Sequence, residues 1–157
     1  MTYTGRGEVV YPCGALGVVL SVDGPTPTQT YMNAHTDLVL CLRAHTLANK
    51  QTLVCSGEAG KVPKVLVWST GERGRGPEVL ACLKGFHRDG VAQVAWAVDG
   101  ELVLTVRHAS SLSGAGRPPL GVAAALVYFQ PKQTRARGES SIPFVPIPFL
   151  RCVPFVR

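Results

Sequence analysis

The chain has 157 residues, of which 46% are hydrophobic, so it can bury one core, and its composition excludes an intrinsically disordered chain. Its net charge of +6 resides entirely in residues 107–157, because the nine basic and nine acidic residues of 1–106 cancel. The polar opening of the chain lacks the apolar centre of a secretory signal, and no apolar run reaches the ~18 residues of a membrane helix.

Nine short apolar segments, rich in β-branched residues, follow one another through the first two thirds of the chain. In chain order they are residues 8–12, 15–22, 28–32, 38–44, 51–56, 64–69, 77–83, 90–97 and 101–106. Turn sequences such as Asp23-Gly24-Pro25 and Asp99-Gly100 separate them. Short strands about ten residues apart predict an antiparallel all-β fold, and no segment has the 3.6-residue period of a long helix.

A histidine-led motif occurs twice in this series of predicted strands. His35 opens "HTDLV" and His87 opens "HRDGV", 52 residues further along the chain. Each motif leads into a strand, and the next predicted strand ends near a small hydroxyl residue, Ser56 in the first unit and Thr105 in the second. A unit of about 50 residues and four strands has the size of one propeller blade.

Four stretches carry a resemblance to a known family: "GEVVYPCGALGVVLS", "YMNAHTDLVLCLRAH", "CSGEAGKVPKVLVWS" and "LKGFHRDGVAQVAWAVDGELVLTV". They resemble the WD-repeat family and, more narrowly, the echinoderm microtubule-associated protein-like family. The first stretch is similar to the end of that family's hydrophobic HELP segment. The second and third are similar to a blade with its GHTD-like and ATGQ-x-G-like signatures. The resemblance spans about residues 6–106.

The resemblance implies an all-β fold, a partial WD-repeat β-propeller with about one complete four-stranded blade and part of a second, over residues 1–106. It implies a non-enzymatic scaffold that binds tubulin or microtubules in the cytoplasm, at the cytoskeleton, together with other proteins. It implies no cofactor, no metal and no membrane partner. A propeller closes with about four to eight blades, so we expect open sheet edges and either oligomerisation or marginal stability.

WD blades share a buried hydrogen-bond chain that runs from a loop histidine, through a serine or threonine and an aspartate, to a tryptophan indole. The resemblance assigns this chain to His35, Ser56 and Trp68 in the first unit, and to His87 and Thr105 in the second. The turn "GEAGKVPK" lacks the aspartate, so either the network is incomplete or Glu58 substitutes for it. Each unpaired buried polar group would cost ~1–3 kcal/mol.

The pattern changes after residue 106. Seven of the twelve prolines fall in residues 107–157, and "IPFVPIPFL" cannot form a central strand because proline lacks the ladder donor. We expect residues 107–157 to be a proline- and arginine-rich tail that lies outside the propeller, largely irregular, and either disordered or the product of mis-splicing.

Other functions find less support in the residues. The glycines and lysine of 57–61 lack the P-loop spacing and lead into a strand, which disfavours a nucleotide site. Cys41 and His45 stand ~13 Å apart on a strand, too far for one zinc ion. The five cysteines are widely spaced, without a C-x-x-C motif, and we expect free thiols in a reducing cytosol.

Two alternatives to the microtubule-binding scaffold remain open. A nucleic-acid-binding protein would use the basic tail, although only Tyr128 and Phe129 are aromatic near its arginines and no stacking platform is evident. The chain is otherwise an inactive, truncated gene product. An enzyme would need a convergent acid, base and nucleophile, and the sequence does not identify such a set.

Overall fold

The fold is that of a computed structural model, which describes residues 1–72, 75–85, 87–98, 100, 102–107 and 124–128. These residues form strands, turns and bends without a helix, which confirms the all-β prediction. The strands are β1 (Thr2–Tyr3), β2 (Val9–Cys13), β3 (Leu16–Ser21), β4 (Thr28–Met32), β5 (Val39–Thr46), β6 (Thr52–Glu58), β7 (Val65–Ser69), β8 (Glu78–Leu83), β9 (Val91–Trp96), β10 (Leu102–Arg107) and β11 (Ala124–Tyr128).

The strands form three antiparallel sheets in chain order. The first sheet is β1-β2-β3-β4, the second is β5-β6-β7-β8, and the third is β9-β10-β11. Each strand pairs with its sequence neighbours only, so the chain completes one up-and-down sheet before it starts the next. Antiparallel neighbours need no crossover connection, which allows this order. No membrane-spanning helix is found in the part of the chain that the structure describes.

Each of the nine predicted segments holds a strand, with boundaries that differ by one or two residues, whereas β1 and β11 were not predicted. β11 lies within the expected tail, where Ala124–Tyr128 pairs antiparallel with β10 and continues the third sheet. Its sequence "AALVY" lacks the tryptophan signature, but five consecutive residues without proline can still supply a ladder of backbone hydrogen bonds. The other residues of the predicted tail, apart from Arg107 at the end of β10, lie outside the described residues.

The second sheet is sandwiched between the other two, and its central strands are buried at every position. One core cluster joins it to the first sheet and contains Val10, Val19, Met32, Leu42, Val54, Leu66 and Trp68. Another joins it to the third sheet and contains Cys55, Val65, Val67, Leu83, Val91, Val94 and Val103. Side chains alternate along a strand, so Val54 and Cys55 belong to different clusters, and β6 reads as a nearly continuous apolar run.

The second and third sheets share a β-bulge and the pairing of a hydroxyl residue at equivalent positions. Leu40 in β5 and Ala92 in β9 are the unpaired residues of two β-bulges at matching positions. Ser56 pairs with Leu66 in the second sheet, and Thr105 pairs with Ala125 in the third. The register therefore places β11 where β7 stands in the second sheet.

Candidate functional site: a buried hydrogen-bond chain

The predicted residues of the first unit lie together in the middle of the molecule. His35 belongs to the loop that precedes β5, whereas Ser56 and Trp68 belong to β6 and β7. The Ser56 Oγ atom lies 2.7 Å from Nε2 of His35 and accepts a 3.0 Å hydrogen bond from Nε1 of Trp68. The chain of hydrogen bonds thus fastens a loop to the two central strands of the second sheet.

Glu58, at the end of β6, extends this chain beyond the histidine. Its Oε2 atom lies 2.8 Å from Nδ1 of His35 and accepts a 3.0 Å hydrogen bond from the amide of Thr36. Its Oε1 atom accepts the Lys64 amide at 3.2 Å, and the Lys64 ammonium is 3.9 Å from the carboxylate. Of the two alternatives that the sequence left open, the geometry matches substitution by Glu58.

The donors and acceptors are compatible with one direction of hydrogen bonding, from Trp68 through Ser56 and His35 to Glu58. The indole N–H of Trp68 can only donate, so the hydroxyl of Ser56 is free to donate its proton to Nε2 of His35. The other ring nitrogen, Nδ1, then carries the proton that is donated to the Glu58 carboxylate. This arrangement requires a neutral imidazole with hydrogen on Nδ1.

Burial and pairing set the protonation of both titratable groups. Burial lowers the pKa of His35 below its usual 6.5, although the hydrogen bond to Glu58 and its negative charge oppose the shift. Burial alone would raise the pKa of Glu58, but the hydrogen bonds from Thr36 and His35 outweigh it, and that pKa is lowered. Near neutral pH the chain therefore ends on a carboxylate next to a neutral imidazole.

The second unit repeats the histidine–hydroxyl contact. Nε2 of His87 lies 2.7 Å from Oγ1 of Thr105, and both side chains are buried. Val127 stands in β11 at the register position that Trp68 holds in β7, as its pairing with Val103 matches that of Trp68 with Val54.

The spacing of Ser56, His35 and Glu58 resembles the serine, histidine and carboxylate of a hydrolase triad. Here, however, Ser56 is 0% exposed and its oxygen already accepts the indole hydrogen bond. Two cavities of about 310 and 290 Å³ occur among the described residues, and their walls contain none of these three side chains. The Ser56 hydroxyl therefore lies inside the second sheet and outside both of these cavities.

The other candidate residues do not converge on a reactive site. Cys41 donates to the carbonyl of Val91 at 3.3 Å, and burial raises its pKa to about 11, which suppresses the thiolate. His45 contacts the ring of Trp96, with centroids 5.8 Å apart, and does not pair with Cys41. Within the described ranges, no trio of histidine, cysteine or acidic side chains is arranged to hold a metal ion.

The cysteines that the structure describes are free thiols: Cys13, Cys41, Cys55 and Cys82. Cys55 is buried, and burial raises the pKa of its thiol. Cys152 lies outside the described residues.

No protein-family model matches this chain, and no solved structure does.

Sequence reasoning missed two contributors to the chain, Thr36 and Lys64, since both act mainly through backbone amides that sequence patterns do not reveal. The signal for Glu58 was available: an acidic residue directly follows the apolar run of β6. A carboxylate in such a place needs nearby donors, because an unpaired buried charge is strongly unfavourable.

Proposed function

We propose that the sheets are blades of a WD-repeat-type β-propeller and that the chain is a non-enzymatic scaffold of the echinoderm microtubule-associated protein-like family. The observation that supports this most is the hydrogen-bond chain from Trp68 through Ser56 to His35, with the His87–Thr105 contact in the next sheet. In this proposal Glu58 takes the role of the missing aspartate. The partner is tubulin or the microtubule, and the protein acts at the cytoskeleton in the cytoplasm.

The mechanism follows from how the chain of hydrogen bonds holds the loops. The loop before β5, the β6–β7 loop and the residues between β8 and β9 all lie at one rim of the sheets, because the strands alternate in direction. His35 ties the first of these loops to β6, and Lys64 ties the second to Glu58. Loops that are ordered before binding lose less conformational entropy when they contact a partner.

Co-sedimentation of the full chain with polymerised tubulin tests this function. We expect saturable pelleting that survives an excess of single-stranded RNA. We also expect Glu58→Ala, which removes the acceptor that ties the two rim loops together, to bind less well than the unaltered chain. Failure to pellet above a polymer-free control would contradict the proposal.

A tail variant separates this function from the nucleic-acid alternative. Arg135→Gln combined with Arg137→Gln removes two of the seven basic residues of 107–157. The proposal predicts unchanged microtubule binding for this variant. If tubulin binding disappears and RNA competes fully, the basic tail is the binding element and the alternative is correct, since such contacts are electrostatic and salt-dependent.

A further inference from the structure

The first and third sheets each present one face to the second sheet and an outer face to the other side. Val10 and Val19 belong to the cluster with the second sheet, so Val18, the strand neighbour of Val19, points outward. Val103 belongs to the other cluster, so Leu104 points away from the second sheet. These two outer faces are the surfaces considered below.

The outer face of the first sheet is apolar and aromatic. Side-chain alternation places six such residues on it: Tyr3, Val9, Tyr11, Val18, Leu20 and Tyr31. Tyr3 is 61% exposed and Tyr31 is 53% exposed. Exposed tyrosines on an uncharged sheet surface are typical of protein interfaces.

This face is also ordered by its own hydrogen bonds. The hydroxyl of Tyr31 donates to Oε1 of Gln29 at 2.7 Å, and Nε2 of Gln29 donates to the hydroxyl of Tyr11 at 3.3 Å. Val18 lies between Tyr11 and Tyr31 in the register and is only 3% exposed. The two rings therefore form a fixed surface on either side of it.

Where the structure describes the side chains of the third sheet, at 91–96 and 103–106, its outer face is uncharged and has smaller side chains. On β9 and β10 it consists of Gln93, Ala95, Leu104 and Val106, and Leu104 is 38% exposed. The matching positions of the second sheet include Cys41 and Cys55, which pack against the third sheet. In the second sheet this kind of face is covered by the sheet that comes next.

The two outer faces are thus complementary halves of a packing arrangement that occurs twice inside the chain. We propose that the chain associates head to tail with a second copy, the outer face of the third sheet in one copy packing on the outer face of the first sheet in the other. Large tyrosine rings then meet smaller side chains, and none of the residues named for either face is charged. Such a contact is heterologous, because each copy contributes a different face.

The size of the assembly rests on the proposed propeller, whereas the contact itself does not. A ring of sheets closes at about four to eight members. Two copies of three sheets give six, so the expected assembly is a closed dimer. Its mass is measured without tubulin, so failure of dimerisation and failure of microtubule binding are separate results.

Light scattering of the full chain, measured as it elutes from a size-exclusion column, gives its mass in solution directly. We expect twice the mass of one chain for the unaltered protein and the mass of one chain for both Tyr31→Glu and Leu104→Glu. Val62→Glu, which places the same charge on a 67% exposed loop residue away from both faces, is the matched control and stays dimeric. Circular dichroism of each variant shows that its sheets are intact.

Mixing the two face variants provides a test that a folding defect cannot imitate. The Leu104→Glu copy retains its first-sheet face and the Tyr31→Glu copy retains its third-sheet face, so the mixture regains a 1:1 dimer that is held by this one intact contact, since the other contact carries both substitutions. An unaltered chain that remains monomeric over a concentration series overturns the proposal. So does a Leu104→Glu variant that still dimerises, because the contact would then join two first-sheet faces or involve other residues.

Discussion

At the scale of single residues, Glu58 decides whether the buried hydrogen-bond chain is complete. Glu58→Ala leaves four donors without their acceptor: the His35 ring, the amide and the hydroxyl of Thr36, and the amide of Lys64. Of these three residues only His35 is fully buried, and an unsatisfied buried group costs ~1–3 kcal/mol, so we expect the free energy of unfolding to fall by about 1–3 kcal/mol. Chemical denaturation measures the change.

Two further variants are the controls for this prediction. Glu58→Gln keeps an oxygen that can accept from His35, so its loss is expected to be the smaller one. Glu78→Gln makes the same substitution at an exposed position of β8 and should change the free energy of unfolding by less than ~0.5 kcal/mol. Equal losses for all three variants would show that the carboxylate has no special structural role.

The lowered pKa values of His35 and Glu58 predict that the protein loses stability in acid. Unfolding returns His35 to its usual pKa of 6.5, so the unfolded chain takes up a proton there that the folded chain does not. Glu58 adds a second loss below its usual pKa of 4.5 for the same reason. The free energy of unfolding therefore decreases as the pH drops below 6.5, and it decreases further below 4.5.

Denaturation at several pH values measures this dependence. His35→Gln provides the comparison, because it removes the group that titrates first. We expect a flatter profile between pH 7 and pH 5 for this variant. A profile as steep as that of the unaltered chain would assign the effect to another group.

At the scale of strands and sheets, the second and third sheets approach each other closely at Gly57 in β6. A Cβ atom built there would lie 2.6 Å from Cβ of Val91 and 3.1 Å from Sγ of Cys41. Gly57→Ala should therefore separate the two sheets and lower the free energy of unfolding by ~1–3 kcal/mol, as overpacked substitutions do. Thermal unfolding of the variant gives the value.

Gly76→Ala is the control for this substitution, since a Cβ atom there meets nothing within 4 Å. The environment of the Trp96 indole provides a second measurement of the same contact. This indole donates to the carbonyl of Arg43 at 3.0 Å and so joins β9 to β5. If Gly57→Ala is as stable as Gly76→Ala, the packing of these two sheets is looser than described.

Most strands were predictable from the sequence, because alternating apolar residues and turn-forming residues are local signals. The all-β class, the nine segments and the boundary of each histidine loop follow from alternation and from turn residues such as Gly24 and Gly100. β1 was missed because a strand of two residues is too short to show an alternating apolar pattern. β11 was missed since its short apolar run lies among prolines and glycines, and its place in the sheet depends on pairing with β10, which is a tertiary contact.

At the scale of the whole molecule, the order of the sheets follows from the repeat of the histidine motif. The spacing of His35 and His87 predicted two successive units, and the second and third sheets contain them side by side. The packing of the first sheet on the second was not visible in the sequence. It depends on Gly17, where a Cβ atom would lie 2.8 Å from the Trp68 ring, and on which residues of β2 face inward.

The residues of the candidate site were predictable from the sequence only in part. The residues His35, Ser56 and Trp68 came from a family pattern, whereas the contribution of Lys64 is made by a backbone amide and needs the three-dimensional structure. The outer faces of the first and third sheets likewise emerge only when the partners of the inner faces are known. Their predicted role in self-association belongs to this scale.

The central claim is that the buried hydrogen-bond chain from Trp68 to Glu58 holds the loop before β5 on the second sheet, against which the other two sheets pack. Nuclear magnetic resonance hydrogen exchange of the Trp68 indole N–H tests it most directly. The account predicts that this proton exchanges only on global unfolding, with the same free energy as the backbone amides of β6 and of Val94 in the third sheet. Rapid exchange of the indole, or exchange of Val94 well before β6, would contradict the claim.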